Sequence, residues 1–166
     1  DYPYQIAVDS ARGHVYTLNM GNNTSGNSIS VFDARRNEIT ALIPLDNPGE
    51  FSPPTPVELV IDPYRPRLYA LTGDVVDVEQ LEVVARVSGV EAVAPGPERL
   101  YLANDTRLWS IDPDTLAERE RHELPRHRYN EPLLLNADLG RLYLARSDWS
   151  GQGEAELAIY AASNLN

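Results

Sequence analysis

The chain has 166 residues, and its 25 acidic residues against 14 basic ones give a formal charge of −11. That length suits one domain able to bury roughly 70% of its unfolded surface, while the acidity offers no basic stripe for nucleic acid or an anionic membrane. There is no cysteine, which excludes disulfides and thiolate metal sites, and no apolar run approaches the roughly 18 residues of a membrane-spanning helix.

In chain order, residues 5–9 read as a first strand, 10–13 as a turn and 14–19 as a second strand. Residues 20–27 form a polar loop of turn formers. Two further strands follow, around Ile29 to Asp33 and Ile39 to Ile43, and residues 46–55 form a long connection in which Phe51 is an exposed-looking aromatic. A second group, residues 56–89, is compact. It has an apolar strand ending at Ile61, a turn, a strand carrying Leu68-Tyr69, and then Val75 to Glu79 and Leu81 to Val87. Val78, Leu81 and Ala85 also fall at helical spacing, but the β-branched content favours strand.

The third group, residues 90–130, repeats the plan with Val93-Ala94, Leu100-Tyr101, Leu108 to Asp112 and the highly charged Leu116 to Leu124, and ends in Arg126-His127-Arg128-Tyr129-Asn130. The fourth, residues 131–166, has Leu135, Leu142-Tyr143, a long loop over 147–156, and Leu157 to Ala161.

Aligned on Tyr16, Tyr69, Tyr101 and Tyr143, the four groups match without gaps through the turn that precedes each tyrosine. A unit of about 40 residues with four short strands is the signature of a β-propeller blade, and blades stack because one twisted sheet cannot cover both of its own faces. The expected fold is all-β. Residues 1–55, 56–89 and 90–130 make three four-stranded antiparallel blades, and 131–166 make a fourth that lacks its outer strand. In each blade the strands are a, b, c and d from the inside out. The d strand of blade three is charged, as suits a solvated rim. The recurrent tyrosines are expected in the core. Asp9, Asp62 and Asp138 beside the a–b turns, and Asp33 and Asp112 at the c–d turns, are expected to form turns.

These units resemble the YVTN-type propeller repeat. Val15-Tyr16-Thr17-Leu18-Asn19, Ser28-Ile29-Ser30-Val31-Phe32-Asp33 and Ile43-Pro44-Leu45 carry the likeness in blade one, and Leu100-Tyr101-Leu102-Ala103-Asn104 with Ser110-Ile111-Asp112 in blade three. The resemblance implies an exported, cell-surface or periplasmic bacterial protein; the all-arginine basic set, with no lysine, is of the kind GC-rich bacterial genes encode. Related propellers include secreted binding proteins, surface-layer-like proteins and lactone hydrolases, and they are usually closed rings of about six to eight blades. The expectation is therefore a portion of a larger propeller, a chain that associates with copies of itself or with further blades, or a small open or four-bladed ring.

In a blade the b–c and d–a connections share one end of the sheet, and the long ones here belong to that set. Loops elaborated on one face of a rigid scaffold are where binding usually resides. Arg126, His127 and Arg128 form the only dense basic cluster and suit a carboxylate or phosphate; pairing with Glu123 and Glu131 is the plainer alternative. Phe51, Tyr129 and Trp149 offer stacking surfaces. Asn19, Asn22 and Asp148, with Glu154 and Glu156, are oxygen donors of the kind calcium takes, although no Asp-x-Asp-x-Asp-Gly loop is present; no other cofactor is expected. There is no Gly-x-Ser-x-Gly elbow, no His-Glu-x-x-His and no glycine-rich phosphate loop. The expected function is non-catalytic binding of a protein or glycan through these loops. A metal-dependent lactonase-type hydrolase and a structural set of blades in a larger assembly are the alternatives.

Overall fold

The computed structural model describes residues 2–21, 26–45, 59–70, 73–125, 129–147, 155–163 and 165. Every regular element among them is a strand. Blade one comprises β1 (Tyr2–Asp9), β2 (His14–Met20), β3 (Ser28–Asp33) and β4 (Glu38–Pro44). Blade two has β5 (Leu59–Ile61), β6 (Arg67–Ala70), β7 (Asp74–Asp77) and β8 (Glu82–Arg86), and blade three has β9 (Ala92–Pro95), β10 (Leu100–Ala103), β11 (Arg107–Ile111) and β12 (Glu118–Glu123). Blade four has β13 (Tyr129–Asn136), β14 (Arg141–Ser147) and β15 (Glu156–Ala161). Each sheet pairs its strands antiparallel in sequence order, three sheets of four strands and one of three. The amphipathic-helix alternative over Val75 to Val87 is absent: a turn at residues 78–81 separates β7 from β8.

The turns follow a template written in the sequence. Asp33 and Asp77 end their c strands and Asp112 directly follows its own, and one carboxylate oxygen of each accepts the backbone N–H groups two and three residues on, at 2.8 to 3.0 Å. The N–H of the fourth residue on, Asn37, Leu81 or Leu116, then donates to the aspartate's own carbonyl. That residue has φ of 57° or 58° in all three turns. The d strands of blades two and three therefore begin after Leu81 and Leu116, one and two residues later than their apolar pattern suggests. An asparagine or leucine tolerates left-handed backbone here because the aspartate fixes the turn around it.

The a–b turns use the same device. Asp9 accepts the N–H of Arg12, and Asp62 those of Tyr64 and Arg65. In blade four the equivalent acceptor is Asn136, whose Oδ1 takes the N–H of Leu139 at 3.0 Å. The turn-forming role expected of Asp138 thus belongs to Asn136, which stands where the alignment puts Asp9 and Asp62. Two further bounds differ from expectation: β1 begins at Tyr2, and Tyr129 is the first residue of β13 rather than the end of a loop.

The chain divides into two compact units, residues 1–88 and 89–166. In the first, Tyr16, Leu18 and Val31 of blade one form a buried cluster with Leu59, Leu68 and Val76 of blade two. In the second, Tyr101, Ala103 and Leu108 of blade three pack with Leu133, Leu142 and Leu144 of blade four. The rule is the same in both. The face that bears the repeat tyrosine of the earlier blade meets the opposite face of the later one. Tyr16, Tyr69 and Tyr101 are buried as expected, whereas Tyr143 is only partly so.

Candidate binding face

The two ends of each sheet are built differently. At one end lie the tight aspartate- and asparagine-built turns. The b–c and d–a connections leave the other end, and several are long: residues 21–27, 45–58, 124–128 and 148–155. Of the residues singled out for binding, Asn22, Phe51, Arg126, His127, Arg128, Asp148 and Trp149 lie outside the described residues. Tyr129 is placed by its backbone alone, opposite Ser147 in the β13–β14 ladder. Asn19 is described in full.

Asn19 is the penultimate residue of the b strand of blade one, three residues beyond the repeat tyrosine. Its Nδ2 donates to Ser30 Oγ at 2.8 Å and approaches Ser28 Oγ at 3.5 Å. Beside it, the buried Asn27 accepts the Gly21 N–H at 3.1 Å through its side chain and the Leu45 N–H at 2.9 Å through its carbonyl. Asn19 and Asn27 thus fasten the roots of the 21–27 loop and of the connection after β4. The amide nitrogen of Asn19 is spent on the scaffold.

Asn104 is the same position in blade three. Its Oδ1 accepts the N–H groups of Thr106 and Arg107 at 3.1 and 3.0 Å, closing the b–c turn, while Nδ2 donates to the Gly89 carbonyl at 2.9 Å. In blade four the position is Arg146, a buried arginine that is not among the candidates drawn from the sequence. One guanidinium nitrogen of Arg146 donates to the carbonyl of Pro125, and the other lies 3.7 Å from a Glu156 carboxylate oxygen. Pro125 immediately precedes Arg126-His127-Arg128. Arg146 therefore ties the root of that basic connection to β14 and β15. The sequence does carry a signal for it: Arg146 follows Tyr143 by the same spacing as Asn19 follows Tyr16.

At the opposite end, in the short turns, the electrostatics favour fixed charge. Burial pushes the Asp9 carboxyl upward, but the Arg12 side chain and backbone outweigh it and hold the group below the usual carboxylate range. The Thr115 N–H and the Arg119 guanidinium hold Asp112 far below it. Among the described residues no group of three or more His, Asp or Glu side chains is arranged to hold a metal ion. Of the calcium donors named above, Asn19 bonds to Ser30 through Nδ2 and not through the Oδ1 that a cation would take, and a Glu156 carboxylate oxygen lies 3.7 Å from the Arg146 guanidinium.

No protein-family model matches the chain. No curated protein matches it either. Solved structures do: the structure described as Kuenenia stuttgartiensis hydrazine synthase superposes with a TM-score of 0.72 at 14% identity, over 97% of this chain and 46% of that one. The sheets are β-propeller blades. At this identity the likeness shows the fold alone, and the chain spans about half the length of the matched structure.

Proposed function

We propose that these blades form a non-catalytic, exported binding domain that takes a protein or glycan partner on the end carrying the long connections. The observation that carries this reading is the contrast between the two ends. One is closed by short turns, most of them built on an aspartate or asparagine side chain. The other carries connections of unequal length whose roots are held by Asn19, Asn27, Asn104 and Arg146. Side-chain clamps at loop roots are what a rigid scaffold needs in order to present variable loops. The residues those connections bring to that end suit recognition: Phe51 and Trp149 for stacking, Arg126 and Arg128 for an anionic group.

The test is a glycan array and a panel of purified bacterial envelope proteins, probed with the labelled chain and with two variants, Arg126→Ala/Arg128→Ala and Trp149→Ala. The reading expects ligands of the unmodified chain to be lost or weakened in at least one variant. For an anionic ligand, the double arginine variant also flattens the salt dependence of binding. Ligands held equally by all three chains would show that these connections are not the binding face.

A further inference from the structure

A groove of about 320 Å³ opens between blades three and four, within the unit of residues 89–166. It lies at the end of the sheets that carries the short turns, away from the long connections. Glu98 and Arg99 reach it from the a–b connection of blade three, Ala137 from the a–b turn of blade four, and Ala162 from just past β15. Its volume suits a small ligand. Pro97, Leu135, Ala137 and Ala162 give it apolar walls, and Glu98, Arg99, Tyr101 and Ser163 add polar groups.

The one cation of this groove already has a counterion. Arg99 Nη1 lies 2.7 Å from Glu120 Oε2, and both atoms are buried. The Tyr101 hydroxyl gives its proton to the Ala162 carbonyl at 2.8 Å, so its oxygen can only accept a further bond. Glu98 is exposed, and among the described residues no cation pairs with its carboxylate. Burial raises the Tyr101 phenol above its ordinary value; Arg99 opposes the rise, and Glu120 and Glu98 add to it. One guanidinium and two carboxylates thus act on that hydroxyl, which leaves one negative charge unbalanced beside an acceptor oxygen.

We propose that this groove binds a small primary monoamine with an apolar body. Its ammonium takes the Glu98 carboxylate and the Tyr101 hydroxyl oxygen as acceptors, and its carbon chain lies on Pro97, Leu135 and Ala137. The complementarity is in both charge and hydrogen bonding: an ammonium brings donors and no acceptor to a place that offers acceptors and a surplus negative charge. A carboxylate ligand would meet Glu98 and Glu120 as like charges and compete with Glu120 for Arg99. A diamine would carry its second charge onto the apolar walls, where it has no partner.

The test is an amide NMR titration of the chain at low salt with isoamylamine, with isoamyl alcohol and isovalerate as probes of the same shape. The proposal expects saturable shifts with the amine at Gly96, Arg99 and Ala162, and affinities for the alcohol and the acid lower by about tenfold or more. Glu98→Gln, at an exposed position where the fold tolerates the change, lowers the amine affinity by a similar factor. Glu120→Gln leaves Arg99 without its counterion, so it weakens the amine and strengthens isovalerate. Absence of saturable shifts up to about 10 mM amine, shifts confined to other parts of the chain, equal affinity for amine and alcohol, or unchanged affinity in Glu98→Gln would each overturn the proposal. Tighter binding of Nα-acetyl-lysine methylamide than of isoamylamine would assign the groove to a protein side chain and overturn it as a site for a free amine.

Discussion

The hydroxyl of Tyr101 donates to the carbonyl of Ala162 across 2.8 Å, joining blade three to blade four through a buried hydrogen bond. Two other tyrosines at this repeat position turn to their own blade: Tyr69 donates to Asp62 Oδ2 at 3.0 Å, and Tyr16 lies 3.4 Å from His14 Nδ1. Blade three has Ala94 where blade two has Asp62. With no carboxylate to take it, the Tyr101 hydroxyl finds an acceptor in the next blade. Tyr101→Phe should therefore cost about 1–2 kcal/mol. A urea titration should show a lower midpoint with an unchanged slope, whereas a midpoint equal to that of the unmodified chain would mean the bond contributes nothing.

Gly96 of blade three lies against Leu135 of blade four. A Cβ there would stand 2.9 Å from Leu135 Cδ2, 3.0 Å from the Arg99 carbonyl oxygen and 3.2 Å from Tyr101 Cε2. The leucine can yield, but the Arg99 carbonyl is fixed by its hydrogen bond from the Gly96 N–H. Gly96→Ala is expected to destabilise the chain by about 1–3 kcal/mol through overpacking, read as a fall in thermal midpoint. Gly140→Ala is the control for added bulk. Its Cβ meets nothing within 4 Å, so any loss there reflects only its φ of 58°.

Arg146 is buried with its charge directed at Pro125 and Glu156. Arg146→Met keeps the length of the side chain and removes its donors. It leaves the Pro125 carbonyl without this partner, and the expected loss is about 1–3 kcal/mol. The same variant should make residues 124–128 more susceptible to limited proteolysis, since their root is no longer tied to β14. Unchanged cleavage there would show that the arginine serves packing alone.

Stability should fall at both extremes of pH. Asp9, Asp33, Asp112 and Glu118 are all held below their ordinary values. Backbone N–H groups are the main cause at Asp33 and Asp112, and the Arg121 side chain at Glu118. Groups depressed by folding stabilise the native state above their unfolded pKa, near 4, and that contribution is lost as pH falls through the folded values. The tyrosines have the opposite sign. Burial pushes Tyr16 up to about 12 and raises Tyr69 and Tyr101 as well. Their contribution is complete below pH about 10 and is lost as pH rises through the folded values. Denaturation midpoints should accordingly be flat near neutrality, drop below pH about 4 and drop again above pH about 10. A midpoint that rises on acidification would contradict the ion pairs described.

The blades are legible in the sequence because each repeat carries its own strand pattern, tyrosine and an aspartate or asparagine at a turn. Finer features depend on neighbours. The left-handed Leu81 and Leu116 look like ordinary apolar strand residues, and only the hydrogen bonds of Asp77 and Asp112 show why they sit in turns. Asp138 has the carboxylate expected of a turn former, but the geometry needs only an acceptor at the right place, and Asn136 supplies it. Arg146 is hidden by its difference from asparagine, although the spacing from Tyr143 gives its position. Among the candidate binding residues, Asn19 has the side chain of a ligand donor. Its committed bonds to Ser30 and Ser28 arise from strand pairing that composition does not reveal.

The chain is built of blades whose inner strands are buried and whose fourth strands form a solvated rim. Native-state hydrogen exchange resolved by residue distinguishes these two sets of strands. Within the four-stranded blades, the amides of His14–Met20, Arg67–Ala70 and Leu100–Ala103, paired on both sides, should exchange most slowly. Those of Glu38–Pro44, Glu82–Arg86 and Glu118–Glu123, paired on one side only, should be the fastest strand amides. Protection of the fourth strands equal to that of the second, or uniformly fast exchange across both sets, would contradict the blade architecture.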